Sequence, residues 1–400
     1  MKINLSNLLA ISFIVEAASE ITQLQTTEFE VANGNEMIIT YKNDDCFNNA
    51  QADPSFFSSN YVDNYPDNNM VVRRMESDDE VGIFEADDCI RYIEPNYVVG
   101  INVEEVPYGI NLVQALDVDD VGFDGSDEVS DMKVCILDTG LATHPDIPST
   151  YVEGFSYYPV GSGDYTDRQG HGTHVAGTVA ALGGNDIGVT GVVRSPNTHL
   201  VIGKVLSDSG SGTYANVIDG LTKCMQRGAK VINMSLGGGG YLQSFQDKVN
   251  ELHQAGIVIV ASAGNGGSSS YNYPASYKHI ISVAAVDSNE NRASFSQFND
   301  KVDLAAPGVS VRSTCIGNRY CSLSGTSMAS PHVAGVVALV WSHFPNVNHT
   351  HINDVLEKTA KDLGAAGRDV FYGHGLVQAK AAFEQLVSYK KINWKILTFA

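Results

Sequence analysis

The chain has 400 residues, 43% of them hydrophobic, with 38 glycines, which suits one large globular domain beside a smaller one. Its formal net charge of −21 excludes a surface built to hold nucleic acid or an anionic membrane, since both reward Lys and Arg. The charge is uneven: residues 19–102 carry 17 acidic against 4 basic side chains, a net −13, and residues 103–400 carry 28 against 20, a net −8.

In chain order, residues 1–17 join one Lys to an apolar run ending in small residues, the pattern of a secretory signal. No later stretch reaches the ~18 uninterrupted apolar residues of a membrane span, so none is expected. Residues 18–102 follow, with strand-like ends, "MIITYKNDD" (37–45) and "CIRYIEPNYVV" (89–99), around a polar acidic middle, which predicts a small separate α+β unit. From about 133, β-branched runs alternate with helical patterns. The strands are "KVCILD", "HLVIGKVL", "KVINMSL", "GIVIVASAGN" and "IISVAAVD", and helices are predicted near 171–182, 213–228, 241–256, 327–342 and 350–361. Continuous apolar strands separated by helices predict an α/β domain over 103–387, with a mostly parallel sheet covered on both faces. Residues 388–400 read only as a terminal extension.

The six cysteines fall as Cys46 and Cys89 in the acidic segment, then Cys135, Cys224, Cys315 and Cys321. In a secreted chain the close pair Cys315/Cys321 suits a loop clip, whereas Cys135, inside an apolar strand, suits either a disulfide with Cys224 or a small buried hydrophobe. Their spacing does not suggest zinc.

In open sheets the ligand crevice lies beyond the carboxyl ends of the strands. Asp138 ends "KVCILD", so a carboxylate leaves the core there and must find a donor. His171 opens the small-residue helix "HGTHVAGTVAA", a place that favours a neutral imidazole and hence a general base; His174, one turn further in, reads as structural. Asn265 ends a buried strand with a side-chain N–H to give. Ser327 precedes Pro331, and because proline is tolerated only near a helix start, Ser327 is placed at a helix mouth among unpaired N–H groups. A Ser in that setting is by itself an ordinary N-cap. Together the four supply nucleophile, base, orienter and oxyanion donor, the roles of acyl transfer.

The stretches "LDTG", "HGTHVAGTVAAL", "VINMSLGG", "ASAGN" and "LSGTSMASPHVAG" resemble the signatures of subtilisin-like serine proteases, in that family's Asp…His…Ser order, over about Val106 to Leu386. The resemblance implies that Asp138 orients His171, that His171 relays the proton of Ser327, and that Asn265 with the Ser327 N–H holds the oxyanion. It implies substrate-pairing backbone at "SLGG" (235–238) and "SGSG" (209–212), with Gly210, Ser211 and Gly212 in the latter. Ser235, Leu236 and Gly237 would form one wall of the S1 pocket, Ala263 and Gly264 the other, and Asn272 would lie near its base. This mostly apolar lining, with Gly266 offering no acid, predicts a preference for large apolar P1 residues.

The same resemblance implies a structural calcium held by Glu104, Asp146, Leu182, Asn185, Ile187 and Val189, in a loop one residue longer than the common pattern at Gly183-Gly184. It implies that residues 18–102 are an inhibitory propeptide, cut near Asn102 or Val103, although their cysteine pair and acidic middle depart from the family. It also implies a secreted monomer acting on proteins and peptides. Asn348, in "NHT", is a glycosylation acceptor in a secreted chain. A catalytically silent scaffold protein is the alternative; a zinc hydrolase through His171 and His174 fails, because their i, i+3 spacing lacks the i, i+4 pair with an intervening Glu.

Overall fold

The computed structural model describes residues 36–52, 60–75, 77–96, 104–119, 132–159 and 161–398. The expected signal segment and the expected maturation cut at residues 102–103 lie outside the described residues. The chain folds as two compact units that divide between Ile101 and Asn102.

The first unit is an antiparallel sheet of β1 (Glu36–Tyr41), β2 (Tyr61–Tyr65), β3 (Met70–Arg74) and β4 (Ile90–Pro95), in the order β2-β3-β1-β4. Two helices, α1 (Asp44–Gln51) and α2 (Asp78–Glu85), accompany it, each opened by a side-chain cap from Asn43 and Ser77. Ile39, Val71, Phe47 and Met75 form its core, and Cys46 is bonded to Cys89.

The second unit begins with the short α3 (Tyr108–Leu112) and is built on a seven-stranded parallel sheet. Its strands are β5 (Lys133–Asp138), β6 (Val152–Ser156), β7 (His199–Lys204), β8 (Val231–Met234), β9 (Val258–Ser262), β10 (Ile280–Val286) and β11 (Val302–Pro307), in the order β11-β10-β9-β8-β5-β7-β6. Alternation along β5 explains why its apolar run is unbroken: Val134 and Ile136 enter the cluster on one face, Cys135 and Leu137 the cluster on the other. Helices α4 (His171–Ala180), α7 (Thr326–Ser342), α8 (His349–Thr359) and α9 (Ala379–Thr398) cover the first face; α5 (Tyr214–Gln226) and α6 (Gln243–Gln254) cover the second. A hairpin of β12 (Val311–Cys315) and β13 (Arg319–Leu323) packs against α4 and is closed by Cys315–Cys321. Cys135 and Cys224 are bonded, tying β5 to α5.

The chain leaves β5 for one side of the sheet, in β6 and β7, and returns to its other side with β8. That reversal between β5 and β8 is the topological switch point where ligands enter open α/β sheets.

Two expectations change. Helix α7 begins at Thr326, so Pro331 lies inside it and not at its start, while 16 of its 17 residues are buried. The tail from residue 388 is no separate extension as far as Thr398, because it continues α9.

Candidate active site

Asp138 is the last residue of β5 and is 1% exposed. Its Oδ1 meets His171 Nδ1 at 2.8 Å and accepts the Thr139 N–H at 2.7 Å. A carboxylate leaving the sheet edge thus finds the donors its burial requires. Its Oδ2 is buried without a partner among the described residues.

His171 is the first residue of α4, and its side chain is a quarter exposed. Burial disfavours its charged form, but the Asp138 carboxylate, by charge and hydrogen bond, and more weakly Asp167, outweigh burial and lift the imidazole above its ordinary 6.5. The expectation that the helix N-terminus leaves this ring with a lowered affinity for protons is therefore corrected by the carboxylate beside it. His174 is fully buried, donates its Nε2–H to the Val311 carbonyl, 2.9 Å away, and is driven down to about 3, chiefly by desolvation. It belongs to the core.

The first turn of α4 has no side-chain cap at Gly170. Its N–H groups are satisfied one by one instead: His171 N by Gln169 Oε1 at 2.7 Å, Gly172 N by Thr139 Oγ1 at 2.9 Å, Thr173 N by Asp167 Oδ2 at 2.9 Å. Close approach to β5 requires glycine at 172, where a Cβ would lie 2.2 Å from the Gly140 carbonyl oxygen. Asp167, 3% exposed, is the residue that sequence reasoning missed. It accepts from Thr139 Oγ1 at 2.9 Å, Gln169 N at 3.0 Å, Gly170 N at 2.9 Å, Thr173 N at 2.9 Å and Thr173 Oγ1 at 2.7 Å. The available signal was an acidic residue four positions ahead of a small-residue helix.

Ser327 is the second residue of α7 and the only one of that helix left partly exposed. Its Oγ donates to the Ser235 carbonyl at 3.2 Å, and Ser235 Oγ donates to the Ser327 carbonyl at 2.7 Å. The hydroxyl therefore rests on the 235–238 loop in this structure and not on His171. Asn265 accepts from Thr326 N at 2.9 Å and Thr326 Oγ1 at 2.8 Å through Oδ1, which leaves its exposed amide with a free N–H₂ group close to Gly325. Gly264 N donates to Thr326 Oγ1 at 3.1 Å, fixing the 263–265 segment to the helix mouth.

A cavity of about 590 Å³ is lined by His171, by Gly210, Ser211 and Gly212, and by Ser235, Leu236 and Gly237, with Leu206, Tyr214 and Tyr273 among its apolar walls. The two segments expected to pair with substrate thus face the same space as the imidazole. Ala263, Gly264 and Asn272 do not line this cavity; Asn272 lies between the two expected S1 walls. A Cβ on Gly237 would come within 2.4 Å of Asn272 Nδ2, and one on Gly264 within 3.1 Å of Asn272 Cβ.

The expected metal residues gather around the 182–189 loop. Asp146 is wholly buried; its Oδ1 accepts from Asn185 Nδ2 at 2.7 Å, its Oδ2 from Val189 N at 2.9 Å, and its carbonyl from Leu182 N at 3.0 Å. Ile187 N closes the turn onto Asn185 Oδ1 at 3.1 Å. Glu104 turns both carboxylate oxygens to Gly184 N, at 3.0 and 2.9 Å, and so holds the extra residue of the loop. Among the described residues no three His, Cys, Asp or Glu side chains converge as a metal site. The set here is one buried carboxylate, one amide and a turn of backbone carbonyls, an all-oxygen chemistry that fits a hard cation such as calcium.

A strand-end aspartate on the imidazole of one helix, with a serine at the mouth of another, is an arrangement that serine hydrolases of several folds share, and the family profile described as the subtilase family matches residues 130–375. The chain belongs to the subtilase family. It is 43% identical over 306 residues to an alkaline protease of Alkalihalobacillus alcalophilus, covering 76% of this chain and 77% of that one. To subtilisin DY of Bacillus licheniformis it is 46% identical over 288 residues, covering 70% of this chain and 99% of the relative. The crystal structure of the psychrophilic subtilisin-like protease Apa1 from the Antarctic psychrotroph Pseudoalteromonas sp. AS-11 superposes with a TM-score of 0.65 at 25% identity, covering 72% of this chain and 99% of that one. This subtilase is a subtilisin-like serine endopeptidase, and its substrates are proteins.

Proposed function

We propose that Ser327 attacks the scissile carbonyl and forms an acyl-enzyme, with His171 taking its proton and returning it to the leaving amine. Asp138 holds the imidazole tautomer through Nδ1 and stabilises the imidazolium. The single observation that supports this best is the 2.8 Å contact between Asp138 Oδ1 and His171 Nδ1 at the sheet's switch point. Before attack the Ser327 hydroxyl must leave the Ser235 carbonyl for His171 Nε2. Asn265 Nδ2 and the Ser327 N–H receive the oxyanion, a role favoured by the way Thr326 occupies the other side of the Asn265 amide. Peptide substrate pairs with main chain at 210–212 and 235–237, and the apolar lining favours large apolar P1 residues, with the Asn272 amide at the base.

The remaining parts of the reading follow from the family. Residues 1–17 direct secretion, residues 18–102 act as an intramolecular inhibitor until they are cut away, and the mature domain works as an extracellular monomer. Calcium would be held by Glu104, Asp146 and Asn185 with the carbonyls of Leu182, Ile187 and Val189, and would supply a cross-link that stiffens residues 182–189. Chelator should then lower the melting temperature, and an unchanged melt would remove calcium from the account. Labelling with phenylmethylsulfonyl fluoride tests the chemistry: modification at Ser327 of mature protein supports it, and an unlabelled Ser327 supports a silent scaffold. A P1 substrate library with a sharp Arg or Lys preference would contradict the pocket reading. N-terminal sequencing of the mature secreted protein fixes the propeptide cut, and that of the Ser327→Ala precursor fixes the signal cut.

A further inference from the structure

Pro331 sits inside α7, where its missing N–H removes the helical donor for the carbonyl four residues back. That carbonyl belongs to Ser327. Every following residue of the helix is buried, so the oxygen cannot be left to bulk water without penalty. The donor comes from another element: Ser235 Oγ, 2% exposed, gives its proton to Ser327 O at 2.7 Å.

The Ser235 hydroxyl is itself held. Asn233 Nδ2 donates to it at 3.0 Å, and Asn233 Oδ1 accepts from Ser330 Oγ at 2.7 Å, with Asn233 and Ser330 both fully buried. The chain of donors runs one way, from Ser330 through Asn233 and Ser235 to the Ser327 carbonyl. It leaves α7, crosses the end of β8 and returns to α7 one turn earlier. None of its members titrates in the working range, so its hold does not change with pH.

We propose that Asn233, Ser235 and Ser330 are positioning residues, which fix the Ser327 peptide against the 235–238 loop and so place both its hydroxyl and its N–H for acyl transfer. This rests on reading Ser327 as the nucleophile. The N–H of Ser327 and its side chain share one Cα with the anchored carbonyl, so a carbonyl set free would let all three drift. A misplacement of about 1 Å costs on the order of 10² in rate. Truncating the Ser235 side chain leaves its main-chain carbonyl available to substrate, so the loss should fall on kcat.

The test uses the mature enzyme with active sites counted by burst titration, so that misfolded protein lowers the count and not kcat. Ser235→Ala is expected to lower kcat by about tenfold to a hundredfold, with KM for a peptide anilide moved by less than about twofold, as uniform binding is untouched. Ser330→Ala lowers kcat in the same direction, and Ser330→Thr, which keeps the hydroxyl, restores it. Because both changes act on one carbonyl, Ser235→Ala/Ser330→Ala is expected to be no slower than Ser235→Ala alone. Two results overturn the proposal: kcat of Ser235→Ala within about twofold of the parent, or losses that multiply in the double variant, the pattern of independent sites. Ser327→Ala serves as the control, since turnover surviving there would defeat the nucleophile assignment and not the relay.

Discussion

Replacing Asp167 by Asn tests whether the start of α4 is organised by that single carboxylate. Three of its hydrogen bonds fall on Oδ1 and two on Oδ2. In Asp167→Asn the amide oxygen would take the three-donor side, which turns the N–H₂ toward Thr173. The Thr173 hydroxyl can reverse and accept, but the Thr173 N–H is left facing a donor inside the protein. An orphaned buried donor costs about 1–3 kcal/mol, and bonds to a charged acceptor are worth about 1–2 kcal/mol more than bonds to a neutral one, so the loss is about 2–5 kcal/mol. At about 2–4 °C per kcal/mol, the melting temperature should fall by roughly 10 °C. The assay is calorimetry in a Ser327→Ala background, which prevents self-digestion. Asp167 also contributes to the upward shift of His171, so the acid limb of kcat/KM in an active Asp167→Asn enzyme should move to lower pH. A melt within about 2 °C of the parent would show that other groups cap the helix and would refute the reasoning.

Asp138→Asn should lower kcat on the order of 10⁴ and also move the acid limb down, since the carboxylate charge that does most to lift His171 is removed; a pH–rate profile checks both. In the parent, activity needs the neutral ring and should fade as pH drops through a value above 6.5, whereas the stability that the protonated ring contributes is full below 6.5 and is lost as pH rises through the folded value. Asn265→Ala should cost on the order of 10² to 10³ in kcat with little change in KM, measured on a peptide anilide. His174 and His332, fully buried and driven down to about 3 and about 4, chiefly by desolvation, take no proton in the fold where the unfolded chain does. Each should therefore remove about 1.4 kcal/mol of stability per pH unit as pH falls from 6.5 toward 4, and His332→Gln should flatten denaturant-derived stability against pH by that slope. The Cys135–Cys224 bond closes a separation of 89 residues and Cys315–Cys321 one of 6, so paired Ala substitutions should cost about 4–5 and about 2 kcal/mol respectively. Equal losses in urea unfolding would contradict the loop-length argument.

What the sequence made legible is what depends on local pattern. Strands β5 and β7 to β10 are buried on both faces, so each reads as an unbroken apolar run, and the polar residue that ends the run marks the active edge, as Asp138 does. What stayed hidden depends on partners distant in the chain. Cys135 in an apolar strand looks the same whether bonded or packed; only the seating of α5 on β5 brings its Cα to 5.8 Å from that of Cys224. Asp167 is an ordinary loop acid until α4, β5 and the turn between them converge on it. Pro331 shows the limit most plainly. The rule that confines proline to the first turn of a helix expresses the cost of an unmet carbonyl, and that cost disappears when Ser235, 92 residues away, supplies the proton. A helix interior can then carry the proline, and the carbonyl it frees becomes a handle by which a neighbouring strand end grips the residue two places inside the helix mouth.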